Sequence, residues 1–181
     1  MKAIAWTVVV VALSGCASSP FGKRVNEPFS GNAYESNNRF FRATGKAESS
    51  QENIARGKAD IEAKTYLAGQ VNTTMKQVAD NYVGQTENER GADVAEKFQS
   101  MARQVVDTNM ADLRKIGEKK YYNEKEKKYT VFIAYEIKKN AMFRFMKKQA
   151  RLDNTINEAQ QALIQKILDE QEKLADAEDK D

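Results

Sequence analysis

Apolar positions divide the chain into a short apolar leader, a stretch with no period, and a long patterned remainder. Ala3 to Ala12 form an unbroken apolar run behind the single basic residue Lys2. About ten residues fall short of the roughly 20 needed to span a bilayer core, and match the apolar region of a signal peptide. Residues 17–38 hold both prolines, Pro20 and Pro28, with Gly22, Gly31 and several Ser and Asn, and show no period. They read as a flexible tether, whose fully extended reach is on the order of 70 Å. No proline follows Pro28, so long uninterrupted elements can form beyond it.

The patterned remainder alternates between two periods. Phe41, Ala43, Gly45 and Ala47 alternate with Arg42, Thr44 and Lys46, which predicts a strand whose small inner face lets a helix pack closely. Ser49 and Glu52 have capping-box spacing, and a helix is expected from Gln51 to about Tyr82. Its stripe is read as Ile54, Ile61, Ala68, Met75 and Tyr82, with Leu67, Val71 and Val78 beside it. A second helix, roughly Ala92 to Thr108, presents Val94, Phe98, Met101 and Val105. Residues 111–122 become strand-like toward Tyr121-Tyr122, and the charged run 123–128 reads as a turn. Tyr129 to Ile137 is the strongest strand pattern, with Tyr129, Val131, Ile133, Tyr135 and Ile137 on one face. Phe132 and Ala134 imply cover on the other face as well. From Lys139 the period is helical again, through Met142, Phe145, Met146, Leu152, Ile156, Ala159, Leu163 and Ile167. That predicts one helix of about 35 residues whose second half projects. The fold class expected is α+β: a small antiparallel sheet packed against a long helix, with a second helix and an extended C-terminal helix.

Composition mostly removes possibilities. The chain has no His, one Cys, and 29 Lys and Arg against 26 Asp and Glu. Histidine triads, His metal sites, intramolecular disulfides and Cys-rich metal centres are therefore excluded. The slight positive balance is too interspersed to indicate nucleic-acid binding. The carboxylate pairs Glu87/Glu89 and Glu124/Glu126 sit in loops with no apolar enclosure to raise a pKa. Gly84, Gly91 and Gly117 are isolated, so no phosphate-cradling loop is present. Lys138, Lys139, Arg144, Lys147 and Lys148 make a basic section that could touch anionic lipid or glycan, and that reads first as a solvated helix face. Tyr121, Tyr122, Tyr129 and Tyr135 read as cross-strand packing. No enzymatic activity, cofactor or metal is expected.

The single cysteine changes the picture. Leu13-Ser14-Gly15-Cys16 closes the apolar leader and resembles the bacterial lipobox. In that signal, cleavage falls between Gly15 and Cys16, and Cys16 is acylated as the first residue of the mature chain. Acyl chains contribute about 0.8 kcal/mol per buried methylene, and two or three of them anchor nearly permanently. Ala17 after the cysteine is compatible with sorting to the outer membrane. Cleavage would also remove Trp6, the only Trp.

The chain beyond Cys16 resembles the LPP-twenty family of bacterial surface lipoproteins, a group that includes the flagellar lipoprotein FlgP. The resemblance covers roughly residues 39–138. It lies in Cys16, in Arg42 to Ala47, in Ala55, Ala59, Ala63 and Tyr66-Leu67-Ala68, and in Val131 to Tyr135. It implies a helix across a small antiparallel sheet, frequent oligomerisation and no catalytic centre. The organisation expected is a signal peptide (1–15), the lipidated cysteine with its tether (16–38), an α+β unit (39–138) and a C-terminal helix (139–181) for oligomerisation or docking. The expected role is that of an outer-membrane lipoprotein, on the periplasmic face or the cell surface, acting structurally or in assembly. Its partners would be the membrane, through the lipid, and further copies or another envelope protein. A reading from a different class is a periplasmic binding module for a small apolar or envelope-derived ligand, held between the first helix and the sheet.

Overall fold

A computed structural model describes residues 22–23, 25–85, 94, 96–101 and 112–177. Cys16, Gly15 and the rest of the leader lie outside the described residues, as do Glu87, Glu89 and Gly91. The fold is α+β. Strands β1 (Phe40–Ser49), β2 (Arg114–Asn123) and β3 (Lys128–Lys138) form one antiparallel sheet in the order β1-β3-β2. Helix α1 (Glu52–Gln85) crosses one face of it. Helices α2 (Lys139–Leu152) and α3 (Glu158–Asp176) follow β3.

The strands form where the alternation places them. Phe41, Ala43 and Gly45 of β1 are buried, and so are Val131, Ile133 and Ile137 of β3. Register pairs Gly45 with Ile133 and Ala43 with Tyr135. The β2–β3 hairpin closes through Asn123, whose side-chain oxygen accepts from the Lys125 and Glu126 N–H groups, a local Asx turn. Lys127 follows with a φ of 53°. A bulge between Lys115 and Gly117 shifts the far end of β2 by one residue.

Helix α1 keeps close to its expected length but turns a different face inward. Its buried positions are Ala55, Ala59, Ala63, Leu67, Val71, Met75 and Ala79, one every fourth residue. Ile54 and Ile61, expected in the core, are exposed, Ile61 at 66%. An interval of four residues advances the buried line by about 40° per step around an α-helix. The contact therefore winds from the sheet, under the N-terminal half, to the helical layer under the C-terminal half. Of the expected stripe, Leu67, Val71 and Met75 lie on that line and Val78 packs against the core, while Ile54 and Ile61 fall off it. At the helix start, Ser49 accepts from the Gln51 N–H, a turn ahead of the helix in place of the expected capping box.

Val94, Phe98 and Met101 are buried in the main core cluster, and residues 96–101 are helical. The C-terminal region is helical, as expected, but divided. Asp153–Asn157 interrupts it, and α3 packs back on α2 and buries Ile164, Ile167 and Leu168. Asn157 accepts from the Gln160 N–H at 2.9 Å, while the Gln160 side chain accepts from the Asn157 N–H at 3.1 Å. This reciprocal capping box starts α3 afresh. In α2 the inward residues are Met142, Phe143, Met146 and Ala150, and the expected Phe145 packs half-buried against the same cluster.

Candidate functional site

The two faces of the sheet differ in kind. On the α1 face, Gly45 allows the helix backbone to approach directly: a Cβ there would lie 2.5 Å from the Ala63 nitrogen and closer still to the Ala59 carbonyl oxygen. No chamber remains between them at this point. The opposite face is polar and aromatic. Phe132 and Ala134 are buried on it, beside Glu136, a carboxylate only 4% exposed.

Glu136 is held by two arginines. The Arg42 Nε donates to it at 3.0 Å from β1, and Arg114 donates from β2, so one carboxylate ties all three strands together. Burial pushes its pKa up, but the guanidinium hydrogen bonds from Arg114 and Arg42 outweigh that and hold it below the usual Glu value. On the α1 face the Tyr135 hydroxyl donates to Asp60 at 2.5 Å, and Lys64 donates to the other carboxylate oxygen. Burial, with the Asp60 carboxylate next, pushes the Tyr135 phenol up to about 12.

Residues 27–38, expected as tether, touch the sheet and act as a strap. The Phe29 ring lies on Gly117, where a Cβ would come within 2.6 Å of its Cζ atom. Thr44 donates to the Phe29 carbonyl, and Lys46 pairs with Glu27 at 2.7 Å. Farther along, the strap closes the free edge of β1. The Arg42 N–H donates to Ser36 Oγ at 2.8 Å, Gln70 Nε2 donates to the Arg42 carbonyl at 3.0 Å, and Ser36 and Gln70 bond each other. Glu62 accepts the Lys46 N–H at 2.6 Å. Helix and strap together thus take up the Arg42 and Lys46 peptide groups of an edge that would otherwise offer them to another chain.

Between strap, β1 edge and α1 runs an open groove of about 890 Å³. Ser36, Asn37, Thr44, Thr65, Gln70 and Thr74 line it with hydroxyls and amides, and Tyr66 adds an exposed ring. No protein-family model matches this chain, and no curated protein or solved structure does either.

The residues singled out in the sequence do not converge on one site. The tyrosines split between the two faces. Tyr122 and Tyr129 pair with ring centroids 4.7 Å apart, while Tyr121 meets Phe132 edge-on at 6.0 Å. The basic section divides too: Lys147 bridges Asp169 and Glu172 of α3, and Lys139 lies over the Phe41 ring. Glu124 and Glu126 lie in the exposed hairpin turn. Among the described residues, no group of three or more His, Cys, Asp or Glu is placed to hold a metal ion. No helix among them is long and apolar enough to cross a membrane. The Glu136 bridge was missed from the sequence. Its signal was a charged residue at every-second spacing with Phe132 and Ala134, on a strand face that already needed cover.

Proposed function

We propose that this chain is a lipoprotein anchored in a bacterial outer membrane through Cys16, with a non-catalytic structural or assembly role in the envelope. The observation that carries the reading is Leu13-Ser14-Gly15-Cys16 at the end of a short apolar leader with Lys2 before it. A packed α+β unit downstream, with an alanine-to-glycine contact between helix and sheet, is in keeping with a scaffold. The likeness to LPP-twenty lipoproteins belongs to the same proposal. α3 spends Ile164, Ile167 and Leu168 on α2, so assembly through the C-terminal helices would use what they leave exposed, Leu152 and Leu174.

Replacing Cys16 with Ser tests the anchor. The variant should leave the membrane fraction, and continued tight membrane association would overturn lipidation as its basis. Size measurement over a range of concentrations tests assembly, which a strict monomer at high concentration would refute.

The groove beside β1 favours a second reading, that of a binding module. Its lining sets hydroxyls and amides beside Phe41, Ala43 and the rings of Tyr34 and Tyr66, which suits an envelope-derived ligand with both polar and apolar parts. Native mass spectrometry of protein purified from its own envelope should then show a bound species, and a clean apo mass would count against it.

A further inference from the structure

We propose that the strap-bearing face of the sheet lies against the anionic lipid headgroups of the membrane that holds Cys16. The inference rests on the lipoprotein reading and adds an orientation to it. Its first ground is the length of the leash. Glu27 is already paired with Lys46 on this face, so only residues 17–26 separate the anchor from it. Fully extended, that stretch reaches at most about 40 Å. This is the face at which the leash ends, and so the one nearest the anchor.

The second ground is charge. By strand alternation and register this face carries Arg42, Lys46, Arg114, Lys119, Lys128 and Lys138 against Glu27, Glu48 and Glu136. Arg42 and Arg114 are spent on Glu136 and Lys46 on Glu27, which leaves Lys119, Lys128 and Lys138 toward solvent. Helix α1 is balanced, with four cations and four carboxylates, and α3 is acidic, with five carboxylates and two lysines. The third ground is the apolar material at the rim. Val25, at 76% exposed, leads into the strap, and half-exposed Tyr121 stands beside Phe132. An aromatic ring with a polar tip among cations is the composition found at headgroup depth.

The rival surface is α2, with five cations and no carboxylate. Lys147 is spent on Asp169 and Glu172, and Lys139 lies over Phe41, which leaves Arg144, Lys148 and Arg151 as an exposed stripe. No strap leads to that stripe, and the carboxylates of α3 stand next to it.

The test uses the full acylated chain in vesicles of phosphatidylethanolamine, with or without phosphatidylglycerol as a minor component. Three variants each exchange one exposed lysine for a label site: Lys128→Cys on the strap-bearing face, Lys76→Cys on α1 and Lys148→Cys on α2. The Cys16 sulfur is blocked by its thioether-linked lipid, so a fluorescent thiol label reports one position at a time. A lipid with a nitroxide on its headgroup quenches only labels close to the surface. Quenching should be strongest at position 128, should rise with phosphatidylglycerol and should fall at high salt. Adding Lys119→Gln should lower the docked-to-free ratio by about fivefold. Stronger quenching at position 148 or 76, or equal quenching at all three, overturns the orientation while leaving the anchor intact. Lack of response to phosphatidylglycerol overturns the electrostatic basis. A chain whose mass shows no acyl group removes the leash and overturns both this inference and the lipoprotein reading.

Discussion

Between Ala55 and Ala63, the buried line of helix α1 meets the sheet through methyl groups, with Asp60 and Glu62 bonding Tyr135 and Lys46 at its margins. Between Leu67 and Met75 the same helix drives large side chains into a core shared with Phe98, Met142 and Phe143. The difference lies in what each half can tolerate. The first half has no side chain long enough to move aside, so added volume must displace backbone. The second half is held by interdigitating volume, and loses most when volume is removed. Gly45→Ala is therefore expected to have the largest effect of any single methyl added to this chain. The new Cβ would press on the Ala59 carbonyl and the Ala63 nitrogen, lifting the helix off the strand at a cost of about 3 kcal/mol, the upper end for overpacking. Urea unfolding followed by circular dichroism checks this. A cost near zero would show that the close approach is not a constraint.

Leu67→Ala probes the other half in the opposite sense. Leu67 is fully buried, and truncation should cost about 2–3 kcal/mol, depending on how far the helical layer collapses into the space. If adding a methyl at Gly45 proved cheap and truncating Leu67 dear, the contrast between the halves would fail on its tight side only.

The two sheet faces extend the comparison from packing to charge. Glu136→Gln keeps the shape but removes the charge that Arg42 and Arg114 share. The expected loss is about 2 kcal/mol, below the roughly 3–5 kcal/mol typical of breaking a buried pair, because Arg114 is largely in water. The native pKa of Glu136 lies below its ordinary value of 4.5, so the unfolded chain takes up this proton first as pH falls. Its contribution is complete above pH 4.5 and is lost as pH drops below that through the native value. Stability measured against pH should thus show an acid-side fall in the parent that is smaller in Glu136→Gln. Parallel curves would mean that the bridge contributes nothing.

Wherever one period dominated and both neighbours of an element were local, the fold could be read from the sequence. β1 and β3 alternate through their buried parts, and that alternation sets the face each turns inward, whereas their pairing through Gly45 and Ile133 joins distant segments and does not follow from it. The division of the C-terminal helices was also written locally, in Asn157 and Gln160. The apolar period ran on across Ile156, however, and hid the boundary. Two features of the candidate site were not legible. The strap reads as tether because Phe29 has no periodic partner, and what receives it is a missing side chain at Gly117, far along the chain. The Glu136 bridge needs a register that joins Arg42 to Arg114 across three strands, and no spacing in the sequence encodes that distance.

The smallest expected effect is also the one that discriminates most sharply between two readings of α1. A heptad stripe through Ile54 and Ile61 would make Ile61→Ser a core polar substitution costing several kcal/mol. The winding line of every fourth residue puts Ile61 on the surface, beside Lys58 and Glu62 at the margin of the β1 edge. On that geometry the substitution should change the unfolding free energy by no more than about 0.5 kcal/mol, as exposed positions usually do. The same substitution carries a second readout. If Ile61 is covered by another copy in the assembled protein, Ile61→Ser should leave monomer stability untouched and shift the size distribution toward monomer. A large loss of stability in the monomer would instead restore the heptad face to the core, and with it a different seat for α1 on the sheet.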